Sequence, residues 1–153
     1  MSGVKTMSDR TGQCLCGAIN FTATDVPDGF STCYCKACQR WTGGPFKGVA
    51  VKAENLAITG RKNIGIFQSS DFAERSFCKK CGSAIWFRLT AGKYAGNTSI
   101  ALGLLDNTDG LTARKVYFED YKNSADTEPQ DCQKFTSVEV EKMITDFVTG
   151  DAK

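Results

Sequence analysis

Cysteines are the residues of this chain whose spacing predicts chemistry. Seven of the eight lie in three groups: Cys14 and Cys16 in "GQCLCG", Cys33, Cys35 and Cys38 in "CYCKAC", and Cys78 and Cys81 in "FCKKCG". The chain of 153 residues has no histidine, so thiolates or carboxylates would have to bind any metal ion. Thiols at these short spacings are typical of zinc sites.

The first and third groups predict one closed, structural zinc site. A C-x-x-C followed by glycine is typical of a zinc knuckle, because glycine lets the turn close and the turn amides then point at the thiolates. Two pairs from distant parts of the chain can complete one tetrahedral site with four sulfur ligands. A redox pair of the thioredoxin type at Cys78 and Cys81 is an alternative, but the flanking sequence lacks its βαβ pattern. An iron–sulfur cluster is a weaker alternative.

The middle group predicts a second zinc site with three ligands from one tight loop. A structural zinc is closed by four ligands, whereas a catalytic zinc keeps a position for water or substrate. The cysteine count favours closure by Cys132, since eight thiols suffice for two four-sulfur sites. The spacing favours an open site, because Cys132 lies in a polar connection without a knuckle. An open site could take the thiol of a substrate, whose pKa zinc would lower.

Composition and length limit the other possibilities. A chain of this length predicts a single domain. The formal net charge of +2 gives no concentrated basic face for nucleic acid or an anionic membrane, and no run of 18 apolar residues predicts a membrane span. The polar start "MSGVKTMSDRTG" lacks the apolar core of a signal peptide. We therefore expect a cytoplasmic protein, in a compartment where disulfides are disfavoured.

The remaining pattern predicts a mainly β protein with a C-terminal helix. Short apolar runs such as "SAIWFRLT" and "NTSIALGLLD" are separated by Gly, Asn and Asp, which is typical of strands joined by turns. Thr136 and Glu139 fit a capping box. Apolar residues follow at helical spacing and Gly150 offers a stop, so we expect a helix at about 137–149.

Three stretches of the chain resemble the signatures of a known family. "GQCLCGAINF", "CYCKACQRWTGG" and "SFCKKCGSAIWF" resemble those of the glutathione-dependent formaldehyde-activating enzyme (GFA) family, which also includes the centromere protein V group. The resemblance runs from about Gly12 to Asp106. It implies a zinc-stabilised β-tent of antiparallel sheets, with a GFA-type zinc domain at about 12–122 of a single domain, 1–153. It also implies two zinc sites, a structural one on Cys14, Cys16, Cys78 and Cys81 and a second, in the catalytic region, on Cys33, Cys35 and Cys38.

The resemblance also implies an activity. The reaction that names the family adds glutathione to formaldehyde and gives S-hydroxymethylglutathione, which is a carbon–sulfur lyase reaction in reverse. We expect a zinc-dependent carbon–sulfur lyase for small thiol–aldehyde adducts, in which the three middle cysteines bind the substrate sulfur. The expected partner is a small thiol such as glutathione, with neither nucleic acid nor membrane. The alternative is a non-catalytic, zinc-stabilised binding module in which both metals are structural.

Residues around the middle group allow two interpretations each. The family usually has histidine at the position of Tyr34, and we interpret the tyrosine as a packing substitution. Gly43 and Gly44 could let the backbone approach a ligand, or form a turn. The flanking cations could meet the carboxylates of a glutathione-like tripeptide, or be solvated; they are Lys36, Arg40 and Lys47. Three aromatic residues could line a pocket, or belong to the core; they are Trp41, Phe46 and Trp86.

Overall fold

The computed structural model describes residues 7–150, which fall into two compact units that divide after Asn123. Within the described range, the first unit contains ten strands and one α-helix, α1 at Lys36–Thr42. This confirms the mainly β prediction. None of the helices within 7–150 is long and apolar enough to cross a membrane.

Three strands form a small antiparallel sheet in the order β1-β2-β5. Their bounds are Ser8–Gln13 for β1, Asn20–Val26 for β2 and Leu56–Thr59 for β5. The polar sequence of β1 does not predict a strand. It forms one by pairing with β2 at the edge of the sheet, where a polar strand is favoured because it discourages further pairing.

Seven strands form the larger sheet in the order β10-β3-β4-β9-β8-β7-β6. Their bounds are Gly29–Cys33 for β3, Phe46–Lys52 for β4, Ile64–Ser70 for β6, Ala73–Cys78 for β7, Ala84–Leu89 for β8, Asn97–Ala101 for β9 and Thr112–Tyr117 for β10. All neighbours pair antiparallel except β10 and β3, which are parallel.

The parallel pair follows from the path of the chain after β9. Leu105 forms a bridge with Gly12, and the amide of Asp106 donates to the carbonyl oxygen of Thr11 at 2.9 Å. The chain therefore crosses to β1 before β10 reaches the outer side of β3, a detour long enough for a parallel strand. This pairing sets Tyr117 opposite Cys33.

The hydrophobic core combines side chains of the two sheets. β2 alternates so that Phe21, Ala23 and Val26 are buried, while Val49 and Ile100 are buried from the larger sheet. Burial of such apolar surface contributes about 25 cal/mol per Å². This core fixes one face of β4 and of β9.

The opposite face of β4 supports α1. A Cβ atom at Gly48 would lie 2.9 Å from the ring of Phe46, so the glycine leaves room for that ring on the strand. The ring of Phe46 stacks on Trp41 of α1, with the centroids 5.0 Å apart. The short helix is therefore seated on the sheet by an aromatic contact.

The second unit contains helix α2 at Ser137–Thr149. The Thr136 amide donates to the Glu139 carboxylate at 2.7 Å, and the Glu139 amide donates to the Thr136 hydroxyl at 3.3 Å. Gly150 ends the helix in the left-handed conformation, with φ of 75°. The helix, its capping box and its glycine stop are as predicted.

Candidate metal centres

The four predicted structural cysteines form one cluster, which we call the knuckle cluster: Cys14, Cys16, Cys78 and Cys81. Their sulfur atoms all lie within 4.8 Å of one another. The Sγ–Sγ distance is 3.7 Å between Cys14 and Cys16 and 3.9 Å between Cys16 and Cys78. Zinc–sulfur bonds of about 2.3 Å in a tetrahedron set neighbouring sulfurs about 3.8 Å apart. The cluster therefore has the donor atoms and the dimensions that zinc requires.

The two knuckles of this cluster are shaped by glycine turns. Gly17 and Gly82 have φ of 77° and 78°, a conformation that favours glycine. The Gly82 amide donates to the carbonyl oxygen of Cys78 at 2.8 Å, which closes the second turn. In the first, the Ile19 amide donates to the sulfur of Cys14 at 3.3 Å. Both features match the interpretation of these turns as knuckles.

Ser83 joins the two knuckles, a contact that the sequence does not predict. Its hydroxyl accepts from the amide of Leu15 at 3.0 Å and lies 3.2 Å from the sulfur of Cys81. Hydrogen bonds from the hydroxyl and the amide of Ser83 lower the pKa of Cys81 to about 5. The only sequence signal for this residue is its position directly after the C-x-x-C-G turn.

The knuckle thiols cannot all ionise readily on their own. The amide of Ala18 lowers the pKa of Cys16, but burial and the three neighbouring thiols outweigh it and raise the pKa to about 11. A bound divalent cation removes this conflict, because it deprotonates a coordinating thiol outright. The chemistry of the donor set thus also fits a metal ion.

The three middle cysteines form the second cluster, which we call the helix cluster: Cys33, Cys35 and Cys38. Their sulfur atoms also lie within 4.8 Å of one another. The predicted single tight loop is wrong, because Cys33 ends β3, Cys35 is the N-cap of α1 and Cys38 lies in its first turn. The amide of Cys38 donates to the sulfur of Cys35 at 3.3 Å. A thiol thus takes the capping role that Ser, Thr, Asp or Asn usually fills.

Ionisation differs among the three thiols of the helix cluster. Burial raises the pKa of Cys35, but hydrogen bonds from the Cys38 amide and the neighbouring thiols outweigh it and lower the pKa. Burial raises the pKa of Cys33. Burial also raises the pKa of Cys38 to about 12, although a hydrogen bond from Arg75 acts in the opposite direction. As in the knuckle cluster, a divalent cation would stabilise all the thiolates together.

Side chains on both ends of α1 hold the helix cluster in place. The amide group of Gln39 donates to the carbonyl oxygens of Tyr34 and Tyr121, the latter at 3.0 Å. The Thr42 hydroxyl donates to the carbonyl oxygen of Cys38 at 3.0 Å. Gly43, with φ of 80°, ends the helix, so the turn interpretation of this glycine is confirmed.

Comparison with known proteins identifies the family. The chain matches the sequence model of the family described as "Glutathione-dependent formaldehyde-activating enzyme" over residues 9–121. The chain belongs to this family. All seven clustered cysteines lie within the matched range.

Two known proteins are similar to part of the chain. An "Uncharacterized lyase" of Schizosaccharomyces pombe is 37% identical over 87 residues, which is 57% of this chain and 63% of the relative. A "Putative glutathione-dependent formaldehyde-activating enzyme" of Halomonas elongata is 32% identical over 83 residues, 49% of this chain and 53% of the relative. The chain thus spans a little over half the length of each relative.

The position at which this GFA-family chain has Tyr34 is only partly exposed. The Tyr34 amide donates to the carbonyl oxygen of Tyr117 at 2.9 Å, and the Nζ atom of Lys122 lies 5.6 Å from the centre of its ring. The backbone of Tyr34 thus links the helix cluster to β10, and its ring contacts a cation. The backbone contact does not depend on the side chain, so the packing role of the tyrosine stays a prediction.

The other predicted residues divide into surface and core. Trp86 is 2% exposed and belongs to the hydrophobic core, so its core interpretation is confirmed. The three cations near the helix cluster are exposed; they are Lys36, Arg40 and Lys47. Cys132, the alternative fourth ligand, lies in the second unit and is exposed.

An open groove of about 400 Å³ begins at the C-terminal end of α1. Phe46 lines it, and Phe46 pairs with Cys33 across β3 and β4. Further lining residues are Thr42, Pro45, Lys47, Ala101, Leu102, Gly103 and Thr108. The groove thus offers an apolar surface one strand pairing away from the helix cluster.

Proposed function

We propose that this protein is a zinc-dependent carbon–sulfur lyase that acts on small thiol–aldehyde adducts of the S-hydroxymethylglutathione type. The observation that carries the proposal is the contrast between a cluster of four thiols and a partly exposed cluster of three. In the synthetic direction the thiol sulfur forms a bond to the aldehyde carbon, the thiol loses its proton and the carbonyl oxygen gains one. In the lyase direction the carbon–sulfur bond breaks, the hydroxyl loses its proton as the carbonyl re-forms, and the sulfur gains a proton.

The two clusters take different roles in this proposal. The four cysteines of the knuckle cluster hold a structural ion, and the three of the helix cluster hold a catalytic one. Zinc at the helix cluster would supply positive charge that lowers the pKa of a substrate thiol and fixes its sulfur. Cys33 and Cys35 are partly exposed while Cys38 is buried, so a substrate would approach from the side of the first two.

Residues around the helix cluster would bind the rest of the substrate. The exposed cations Lys36 and Lys122 lie on segments that contact Tyr34 and Cys35, and they suit the carboxylates of a glutathione-like tripeptide. The groove beside Phe46 suits its apolar parts. The family name and the name of the Halomonas elongata relative both support glutathione as the thiol.

Metal content and turnover of the Cys35→Ser variant test this proposal. We expect the unsubstituted protein to hold two zinc ions per chain and to accelerate exchange between formaldehyde, glutathione and their adduct, as measured by magnetisation-transfer NMR. The variant should hold one zinc ion, keep its fold and lose the acceleration. A variant that keeps both the metal and the turnover would contradict the mechanism.

The matched control is Cys132→Ser, which should retain two zinc ions and full turnover. If this variant instead loses one ion together with stability, Cys132 closes the second site. In that case the protein is the alternative, a binding module with two structural metals.

A further inference from the structure

Arg75 is a buried cation without a carboxylate partner. It lies on β7 and is 6% exposed. Among residues 7–150, none of the ion pairs includes Arg75, and its Nε atom has no hydrogen-bond partner. Its Nη1 atom donates to the sulfur of Cys38 at 3.5 Å. A guanidinium in this position requires an explanation, because a buried charge is destabilising unless it is compensated.

Two aromatic rings compensate only part of this charge. The guanidinium lies 4.9 Å from the ring centre of Trp41 on α1 and 5.1 Å from that of Phe87 on β8. Such cation–π contacts are favourable, but they are weaker than the hydration that a fully buried cation gives up. The rings therefore fix the position of the guanidinium and leave its charge to be matched by an anion.

The nearest carboxylate along the strand is directed elsewhere. Glu74 precedes Arg75, and successive residues of a strand face opposite sides. Its carboxylate lies 3.6 Å from Arg88 and accepts from the indole of Trp86 at 3.4 Å. The polar group that faces Arg75 is thus the sulfur of Cys38, which belongs to the helix cluster.

A count of charges explains why this cluster needs a cation. Three thiolates and one divalent ion carry a net charge of −1, and a fourth, substrate thiolate would bring it to −2. The knuckle cluster would reach −2 with its own four thiolates, but Cys16 is exposed to water. Cys38 is buried, so little water would offset negative charge on its metal-bound sulfur, and the guanidinium of Arg75 would offset that charge instead.

We propose that Arg75 is a positioning residue of the helix cluster, whose guanidinium fixes the sulfur of Cys38 toward a bound divalent ion and offsets the negative charge that a second anionic ligand would bring. This rests on the proposed function, since it assumes that the helix cluster binds metal. It adds a residue from β7, outside the cysteine motifs, to the residues that define the site.

Zinc affinity of charge-removing and charge-keeping variants tests this role. Arg75→Met removes the charge and keeps much of the volume, whereas Arg75→Lys keeps the charge. Competition with a chromophoric chelator, run on the full chain, resolves the two sites. We expect Arg75→Met to weaken zinc at the helix cluster by about 10- to 100-fold, as loss of such supporting contacts usually does, and to leave the knuckle cluster unchanged. Arg75→Lys should recover part of the loss.

Cobalt substitution gives a readout that does not depend on turnover. In the unsubstituted protein, added glutathione should increase the sulfur-to-cobalt charge-transfer absorption of the helix cluster. In Arg75→Met, that increase should need at least about 10-fold more glutathione. Equal glutathione dependence in the two proteins would overturn the proposal.

The matched control is Arg88→Met. Arg88 is also a partly buried arginine stacked on an aromatic ring, with its guanidinium 4.2 Å from the ring centre of Trp86, but it contacts Glu74 and Thr98 rather than a cysteine. It should lower the thermal midpoint and retain zinc affinity at both clusters. If Arg88→Met weakens the helix cluster as much as Arg75→Met does, the effect is general destabilisation and the proposal fails.

The outcomes separate this proposal from the proposed function. Two zinc ions per chain with unchanged affinity in Arg75→Met would refute the role of Arg75 alone. A single zinc ion in the unsubstituted protein would refute both. Weakened zinc in Arg75→Met, without any exchange activity in the unsubstituted protein, would refute the lyase and support the role of Arg75.

Discussion

The two cysteine clusters offer the same kind of ligand atom but connect very different lengths of chain. The knuckle cluster joins Cys16 to Cys78 across 62 positions of sequence, so it fastens the turn before β2 to the turn after β7. The helix cluster contains three thiols within six residues, and it connects only the end of β3 to the start of α1. The knuckle cluster has four thiols and is supported by the hydroxyl of Ser83. The helix cluster has three thiols and is contacted by the buried Arg75. In the function that we propose, the cluster that closes a long loop supports the fold and the local set of three thiols supports chemistry.

The largest expected effect comes from breaking the knuckle cluster. Cys78→Ser should lower the free energy of unfolding by on the order of 5 kcal/mol or more, because a structural zinc contributes about 10 kcal/mol to small domains. Cys33→Ser in the helix cluster should lower it by only about 1 kcal/mol, a usual effect of a single substitution. Urea denaturation of the zinc-loaded proteins measures both. Equal losses in the two variants would contradict the division between fold and chemistry.

A smaller loss of stability is expected when the contact of Ser83 between the two knuckles is removed. Ser83→Ala removes the hydroxyl that accepts from Leu15 and contacts Cys81, which should lower the free energy of unfolding by about 1–2 kcal/mol. Zinc content should stay at two ions per chain. Ser69→Ala, near the end of β6, removes one longer hydrogen bond, from the serine hydroxyl to the carbonyl oxygen of Ala73 at 3.3 Å. If the two variants lose the same stability, the contact of Ser83 between the knuckles contributes no more than an ordinary hydrogen bond.

The smallest effect is expected from Cys132. Cys132→Ser should change the free energy of unfolding by less than about 0.5 kcal/mol, as for an ordinary exposed side chain. The thermal midpoint with and without a chelator should match that of the unsubstituted protein. A chelator-dependent difference between the two would show that the eighth cysteine takes part in a metal site.

The grouping of the cysteines was predictable because members of each group are separated by only one or two residues in the sequence. C-x-C and C-x-x-C followed by glycine encode turns, and Gly17 and Gly82 adopt the conformations that such turns require. The capping box of Thr136 and Glu139 is equally local and was predicted with its helix. Strand β8 was predictable because its sequence is rich in aromatic and β-branched residues.

The supporting residues were not predictable because they come from pairing between distant segments. Arg75 reaches Cys38 only once β7 lies beside β8 and α1 lies on the sheet. The hydroxyl of Ser83 meets Leu15 only after two knuckles 68 positions apart come together. β1 has no apolar alternation and forms through its partner strand, and the parallel pairing of β10 depends on the path of the chain after β9. Local pattern carries none of this information.

β7 carries a residue for each cluster, so this one strand connects the two sites. Cys78 is the last residue of the strand and belongs to the knuckle cluster. Arg75, three residues earlier, contacts Cys38 of the helix cluster. The pairing of β7 with β8 sets Arg75 opposite Phe87, and the register shifts between Ser76 and Phe77, before Cys78 is reached. A change that separates β7 from β8 should therefore disturb both clusters at once.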